Sequence, residues 1–213
     1  MLHGSRLAKN SVHPGGFWPH LLHLLGCVIT IAAYSPAYGY DPRQLAQLKT
    51  TQECPNCDLS RADLQNQDLT GANLQGANLT NAILVFARLS QANLQGAYLA
   101  GVNAYGANLQ GANLTGGNLY VANLVRGELQ GADFTQAFLG GSHLFKSNLQ
   151  GANLSQARLP FANVSFAQLQ GANLTGTDLR AANRFYANLT GAQQTHLDCT
   201  GANLQPTLGI ITP

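Results

Sequence analysis

Leucine returns at every fifth residue through most of the chain. Steps of five from Leu59 to Leu204 give thirty central positions, and 24 of them are leucine. The residue two places before the centre is alanine in 21 of the thirty repeats. Most remaining positions hold Asn, Gln, Thr, Ser or Gly. The hydrophobic pattern therefore has a strict period of five.

Neither regular secondary structure accommodates this period. A helix has 3.6 residues per turn, so a period of five would spread leucine around its whole surface. In a strand the side chains alternate between faces, and an odd period would place successive leucines on opposite faces. The pattern predicts a chain that turns a corner every five residues and points one Leu and one Ala inward. Short internal periods of this kind are typical of β-solenoids.

A second period of twenty lies over the first. Residues twenty apart resemble each other in ways that residues five apart do not, as at positions 85, 105, 125, 145, 165 and 185, which are Val, Tyr, Val, Phe, Ser and Phe. Four sides of five residues then make one coil. The thirty repeats predict about seven coils.

The repeat resembles the motif of the pentapeptide-repeat family, A-(D/N)-L-x-x. The words "ANLQG" and "ANLTG" match it letter by letter, and the resemblance covers residues 57–205. It implies an all-β fold, a right-handed quadrilateral β-helix with Leu and Ala filling its interior. It also implies a scaffold or binding role rather than an enzyme.

Some repeats break the core pattern. Val102 and Ala104 exchange the usual small and large residues, and a close-packed interior tolerates such volume-conserving exchanges. Arg184 and Gln194 occupy central positions in the last coils. We expect either that the solenoid frays there or that these two side chains turn outward.

The segments on either side of the repeat differ from it. Residues 41–53 predict a short helix, because Asp41 can cap it, Pro42 suits its first position, and Leu45 and Leu48 share a face. We therefore divide the chain into a signal peptide (1–39), a capping helix with the "CPNC" segment (40–56), the solenoid (57–205) and a C-terminal tail (206–213).

The predicted signal peptide has a positive start at Arg6 and Lys9, an apolar run from Leu21 to Tyr34, and a small-x-small pattern at Ala37 and Gly39. An uncleaved anchor and a lipoprotein-like "LLGC" are the alternatives. The resemblance to exported cyanobacterial members implies the periplasm or the thylakoid lumen, and secretion is the other destination.

Charge excludes some partners. Only 9% of residues are charged, and loss of Arg6 and Lys9 with the presequence leaves nine basic residues against nine acidic ones. A near-neutral chain lacks the basic surface of a nucleic-acid binder, and we predict no membrane association of the mature form. Some relatives mimic DNA and bind topoisomerases. A DNA mimic that binds a topoisomerase is therefore the alternative function, and it requires a strongly negative surface.

The "CPNC" segment at 54–57 is the first candidate for chemistry. In an exported protein, a structural disulfide between Cys54 and Cys57 is the prediction, and related proteins begin their repeats with a similar Cys-x-x-Cys-Asp-Leu. A redox function for the pair and a simple filling role for Cys57 are the alternatives. Only Cys199 remains as a further thiol, so we predict no metal site.

The remaining candidates are aromatic residues that interrupt the repeat. Enzyme motifs are absent from the sequence, and we predict no catalytic residues and no cofactor. The aromatic residues fall on two adjacent sides of the predicted coil, with basic residues among them. Such clusters are typical of binding hot spots, although rings lying flat over corners would give the same pattern. The candidate residues for binding a protein partner are Tyr98, Tyr105, Tyr120, Phe138, Phe145, Phe161, Phe185, Tyr186, Arg126 and Arg158.

These observations predict an exported, non-enzymatic scaffold that binds a protein partner. An open final coil after Leu204 would leave an edge for another chain, so an end-to-end homo-oligomer is a further prediction.

Overall fold

A computed structural model describes residues 39–203 and 207–209 of the chain. The predicted signal peptide lies outside the described residues except for Gly39, and the predicted tail is described only at 207–209.

The chain begins its described part with helix α1, Pro42–Thr51. Asp41 caps it, and its Oδ1 accepts a hydrogen bond from the Arg43 backbone N–H at 2.9 Å. Leu48 is completely buried against the first coil. Gln52 adopts the left-handed conformation (φ 61°) and ends the helix. The predicted capping helix is confirmed.

The rest of the described chain is a β-helix whose residues pair at a separation of twenty. Single parallel bridges join each coil to the next, from Glu53 with Asn73 to Asn188 with Leu208. Each side therefore contributes a short bridge rather than a long strand. This is the predicted right-handed quadrilateral β-helix. It begins at Glu53, and Cys54 already occupies a central position.

The four sides are named by their central residues. Side 1 contains Leu59 and every twentieth residue after it, side 2 contains Leu64, side 3 contains Leu69, and side 4 contains Cys54 and Leu74 with their equivalents. Sides 1 and 2 are adjacent, and so are sides 3 and 4.

Each corner is a tight turn with one residue in the left-handed conformation. The Ala62 N–H donates to the Leu59 carbonyl at 3.0 Å, and Arg61 between them has a φ of 60°. Glycine adopts this conformation without steric cost, which explains the glycine at so many corners, such as Gly71 (φ 70°).

The Asn or Asp of the motif also has a physical reason. The backbone N–H one residue after the centre donates to this side chain, as Thr115 does to the Oδ1 of Asn113 at 3.0 Å. The backbone ladder pairs the other N–H groups of the repeat with carbonyls of adjacent coils or of the corner. A short polar side chain before the centre therefore accepts a hydrogen bond from the one backbone N–H that the ladder does not pair.

The interior is a continuous column of leucine and alanine. The central leucines on all four sides are buried, and full burial stabilises the fold by about 1.5–3 kcal/mol for each. Phe134 is buried in a central position. Val102 and Ala104 are both only 1% exposed, so the exchanged pair shares the core as predicted.

The expectation for Arg184 is wrong. Its side chain does not turn outward, because the residue is completely buried in its central position. Nor does the coil fray at this level, since the bridge between Asn183 and Asn203 continues the ladder. The regular ladder to the preceding coil, in which the Val164 N–H donates to the Asn183 carbonyl at 2.8 Å, fixes the direction of the side chain.

Candidate protein-interaction surface

Exposed apolar side chains are concentrated on two sides of the described solenoid. Ten large hydrophobic residues are exposed, and nine of them lie on sides 1 and 2: Ile83, Phe86, Tyr98, Tyr120, Val121, Phe161, Phe166, Phe185 and Tyr186. Leu208, on side 3, is the tenth. We call the outer surface of sides 1 and 2 between Ile83 and Tyr186 the aromatic flank.

Four rings on side 2 form one cluster. The Phe166 ring stacks on Tyr186 with centroids 5.1 Å apart, and it meets Phe145 and Phe185 edge to face at 5.6 and 5.8 Å. Phe185 and Tyr186 are in edge contact at 4.4 Å. The Lys146 Nζ lies 5.3 Å from the Phe145 centroid and 5.9 Å from that of Phe166. This cluster spans three coils.

Side 1 carries a shorter ladder of rings. Tyr120 and Phe138 are stacked with centroids 5.8 Å apart and an interplanar angle of 5°. Arg158 belongs to the next coil, and its guanidinium lies 5.4 Å from the Phe138 ring centroid. The three side chains thus form a continuous row along the axis, with a cation at one end.

The sequence left two interpretations of the rings open, a binding hot spot and a cover over the corners, and the structure contains rings of both kinds. The Phe138 ring lies over Gly140, where an added Cβ would meet its Cζ at 2.6 Å. In contrast, Phe161 is 75% exposed and Tyr98 is 56% exposed. Some rings therefore cover backbone, but others project into solvent.

Several flank residues hold the backbone in a conformation that is unfavourable for a bulky side chain. Phe161, Phe166 and Tyr186 hold corner positions with φ of 60°, 58° and 56°. Val121, a β-branched residue, does the same at 49°. The left-handed conformation costs a bulky L-residue about 1–2 kcal/mol, a cost that glycine avoids. Regular coil formation does not account for these side chains.

The structure brings most of the predicted binding residues together. It joins Phe145, Phe185 and Tyr186 in one cluster, and Tyr120, Phe138 and Arg158 in one ladder. Tyr105 contacts the ring of Phe86 at 5.6 Å. Among the described residues, no ring contact of Arg126, Tyr98 or Phe161 is found.

The predicted set omits four residues of the flank. Phe166 is the central ring of the side 2 cluster, and Phe86, Ile83 and Val121 are exposed beside other members. A hydrophobic residue at an outward position, where the repeat has a polar residue or glycine, is the sequence signal that identifies all four.

The two cysteines of the first coil lie inside the solenoid. Cys54 takes a central position and Cys57 the small position of the next repeat, so together they replace a Leu and Ala pair. Their sulfur atoms are adjacent, and their Cα atoms are 5.4 Å apart, within the range of a disulfide. Cys199 is partly buried, and burial raises the pKa of its thiol.

The described residues hold no grouping of three or more His, Cys, Asp or Glu side chains that could bind a metal ion. In the same part of the chain, no helix has the length and apolar character to cross a membrane.

The comparison with protein families agrees with this geometry. A family model described as "Pentapeptide repeats (8 copies)" matches residues 57–96, 82–119, 122–159, 147–183 and 157–193. The chain belongs to the pentapeptide-repeat family. Members of the family are generally structural or binding scaffolds. No curated protein sequence matches the chain.

Several solved structures are similar to the chain. QnrB1, a plasmid-mediated fluoroquinolone resistance protein, is 21% identical over 72% of this chain and 80% of its own, with a TM-score of 0.56. HetL, a protein of heterocyst differentiation regulation from the cyanobacterium Nostoc, is 30% identical over 78% of this chain and 93% of its own, with a TM-score of 0.26. A protein from the Arabidopsis thaliana thylakoid lumen is 31% identical over 46% of this chain and 61% of its own, with a TM-score of 0.31.

Proposed function

We propose that the protein is an exported, non-enzymatic scaffold that binds a protein partner through the aromatic flank. One observation carries the proposal: nine of the ten exposed large hydrophobic residues among the described residues share two adjacent sides. Scattered exposed hydrophobic residues are ordinary, but a contiguous exposed patch marks an interaction site.

The local cost of the flank supports the same conclusion. Phe161 and Tyr186 occupy corners that glycine would fill with less strain, and Tyr98 and Phe138 replace the Asn or Asp that accepts a backbone hydrogen bond. Strained positions cluster where function retains them. Left-handed corners without glycine also occur on sides 3 and 4, but there they hold polar residues such as Gln91 and Gln136, whereas the flank places bulky apolar side chains in them.

The alternative of a DNA mimic has little support in the charges. The flank between Asn78 and Thr177 carries no carboxylate among its described residues, whereas a mimic of DNA needs a negative surface. The fold likeness to QnrB1, at 21% identity, extends to the architecture only. Export to the periplasm or the thylakoid lumen remains part of the proposal.

A site-specific photocrosslinker tests the proposal. Benzoylphenylalanine would replace Tyr120 and Phe161 on the flank, and Gln110 and Gln91 as matched controls on side 3. Gln110 has the same place in its repeat as Tyr120, and Gln91 (φ 59°) has the same corner conformation as Phe161 (φ 60°). Irradiation in the native host should give a discrete adduct from the flank positions alone.

A second set of variants links that adduct to the rings. Replacing Tyr98 and Phe166 by Ser should abolish the adduct while the thermal unfolding transition and the circular dichroism spectrum are retained. Adducts of equal yield from both pairs of positions, or from neither pair, would exclude the flank as the binding site.

A further inference from the structure

We propose that the aromatic flank receives a segment of the partner that combines acidic and apolar side chains. The inference rests on the proposed function, because it concerns the same surface, and it adds the chemistry of the partner. It follows from the distribution of charge around the rings.

The cations in the middle of the flank form no close ion pair, although Arg158 lies one coil before Asp178 and helps to lower the pKa of that carboxyl. Arg126, Lys146 and Arg158 are exposed, and none of them forms an ion pair with another described residue. Other arginines do form ion pairs, as Arg88 with Asp68 at 3.5 Å on side 3 and Arg180 with Asp178 at 2.9 Å near the end of the flank. The three flank cations are therefore available to an anion from outside.

The flank carries one carboxylate, Asp178, which lies near its C-terminal end and is paired with Arg180 at 2.9 Å. Between Asp68 and Asp178, only Glu128 and Asp133 are acidic, and they lie on sides 3 and 4. An acidic segment lying along the flank would meet three cations and no carboxylate between Asn78 and Thr177. Complementary charge of this kind gives specificity and a faster encounter.

The cations lie beside rings, so one segment can use both. Lys146 lies within 6 Å of two ring centroids, and Arg158 lies at the end of the Tyr120 and Phe138 stack. A carboxylate that accepts a hydrogen bond from either cation would place its neighbouring side chains on those rings. Apolar neighbours would bury the rings, whereas further polar neighbours would leave them wet.

A second copy of this chain is a weaker candidate for the occupant. Its own acidic residues on sides 1 and 2 are Asp58, Asp63, Asp178 and Asp198, and the Oδ1 of each accepts the backbone N–H two residues later. Asp58 also accepts from the Asn78 side-chain amide at 3.1 Å. These carboxylates are held in the turns of a rigid coil, and no exposed hydrophobic residue precedes Ile83 among the described residues.

Three labelled peptides of about twelve residues supply the test, measured by fluorescence anisotropy with the full chain. One alternates Glu and Phe, one Gln and Phe, and one Lys and Phe. The Glu peptide should bind at least tenfold more tightly than the Gln peptide, and the Lys peptide should bind most weakly. The preference should shrink as salt rises from about 50 to 500 mM.

Two sets of variants separate the inference from the proposed function. Replacing Arg126, Lys146 and Arg158 together by Gln should remove the preference for the Glu peptide but leave Gln-peptide binding unchanged. Arg88→Gln, on side 3, is the matched control and should change neither. Replacing Tyr120 and Phe166 by Ser should weaken binding of both peptides.

The unfavourable outcomes are distinct. If the triple variant keeps the preference, or if the Glu peptide does not bind better than the Gln peptide, the acidic partner is excluded while the flank remains a binding surface. If the ring substitutions change no affinity, the proposed function fails. A dimer in sedimentation that is lost when Tyr120 and Phe166 are replaced by Ser would assign the flank to a second copy and overturn the inference.

Discussion

The ring of Phe86 lies directly over Gly106, the corner residue of the next coil on side 2. A Cβ added to Gly106 would lie 2.5 Å from the ring carbon Cε1 of Phe86. Gly106 also has a φ of 63°. The glycine therefore meets two requirements, the left-handed corner and the close approach of the ring.

The first prediction concerns this contact. Gly106→Ala should lower the free energy of unfolding by about 1–2 kcal/mol for the left-handed conformation and by a further 1–3 kcal/mol for the clash with Phe86. Gly116→Ala is the control, because Gly116 has a φ of 66° and nothing within 4 Å of its added Cβ. Urea unfolding gives both values.

The clash itself can be isolated by a second substitution. In a Phe86→Asn background, Gly106→Ala should cost no more than Gly116→Ala does in the parent protein. If the difference between the two glycine variants survives without the ring, strain at that corner has another origin.

The second prediction concerns the exchanged core pair. Ala104→Leu alone should destabilise the protein by about 1–3 kcal/mol, because Val102 already fills the neighbouring space and both residues are only 1% exposed. Combined with Val102→Ala, the same change restores the ordinary pattern and should be nearly neutral. Thermal unfolding of the two single variants and the double variant measures the coupling. Additive effects would show that the two positions do not share space.

The period of five predicted the sides, the inward positions and the aromatic flank, because each repeat places its residues in the same way. The sequence alone did not predict how the outward side chains pack. Phe138 lies over Gly140 because that corner lacks a side chain, and it stacks on Tyr120 from the preceding coil. Such contacts depend on which residues stand two positions away or in the adjacent coil, and on free rotamers, which the repeat does not constrain.

Arg184 was mispredicted for a different reason. A charged residue is expected to avoid the interior, since burying an unpaired cation is costly. The regular backbone ladder to the preceding coil fixes the direction of the side chain, and this constraint outweighs the preference of the guanidinium for water. The many buried leucines stabilise the fold enough to offset the cost of burying one arginine.

The third prediction follows from that burial. The Nε, Nη1 and Nη2 atoms of Arg184 have no hydrogen-bond partner among the described residues. Burial lowers the pKa of the guanidinium, and the nearby Cys199 thiol opposes this only in part. Arg184→Leu should therefore stabilise the protein by about 1–4 kcal/mol in urea unfolding. Arg180→Leu, an exposed control, should not. Destabilisation by Arg184→Leu would reveal a compensating partner for the cation.

The fourth prediction tests the oxidation state and role of the first-coil cysteines. Cys54 and Cys57 of the exported protein should resist alkylation until a reductant is added, with a reduction potential below about −300 mV, as structural disulfides have. Cys54→Leu with Cys57→Ala should retain a folded solenoid, because that pair fills the same two inward positions elsewhere. Acceleration of insulin reduction by the parent protein, lost in this variant, would instead support the redox alternative.

The last prediction separates the turn from the ion pair at Asp178. Its Oδ1 accepts from the Arg180 backbone N–H at 3.0 Å, and its two oxygens accept from the guanidinium at 2.9 Å each. The hydrogen bonds from the Arg180 side chain are the main cause that lowers the pKa of this carboxyl, and partial burial opposes them. Asp178→Asn should keep the turn but lose the ion pair.

The pH dependence follows from the direction of that shift. The pKa is lower in the folded than in the unfolded protein, so the stabilisation is present above about pH 4 and is lost as pH falls through the folded value. Because Arg180 is half exposed, Asp178→Asn should cost at most about 1 kcal/mol at pH 7, and at a second pH below about 4 the difference from the parent protein should be smaller. Asp178→Ala should cost about 1 kcal/mol more at both pH values, since it also removes the acceptor of the turn. Equal stabilities of the Asn and Ala variants would show that the motif position does not depend on its side-chain oxygen.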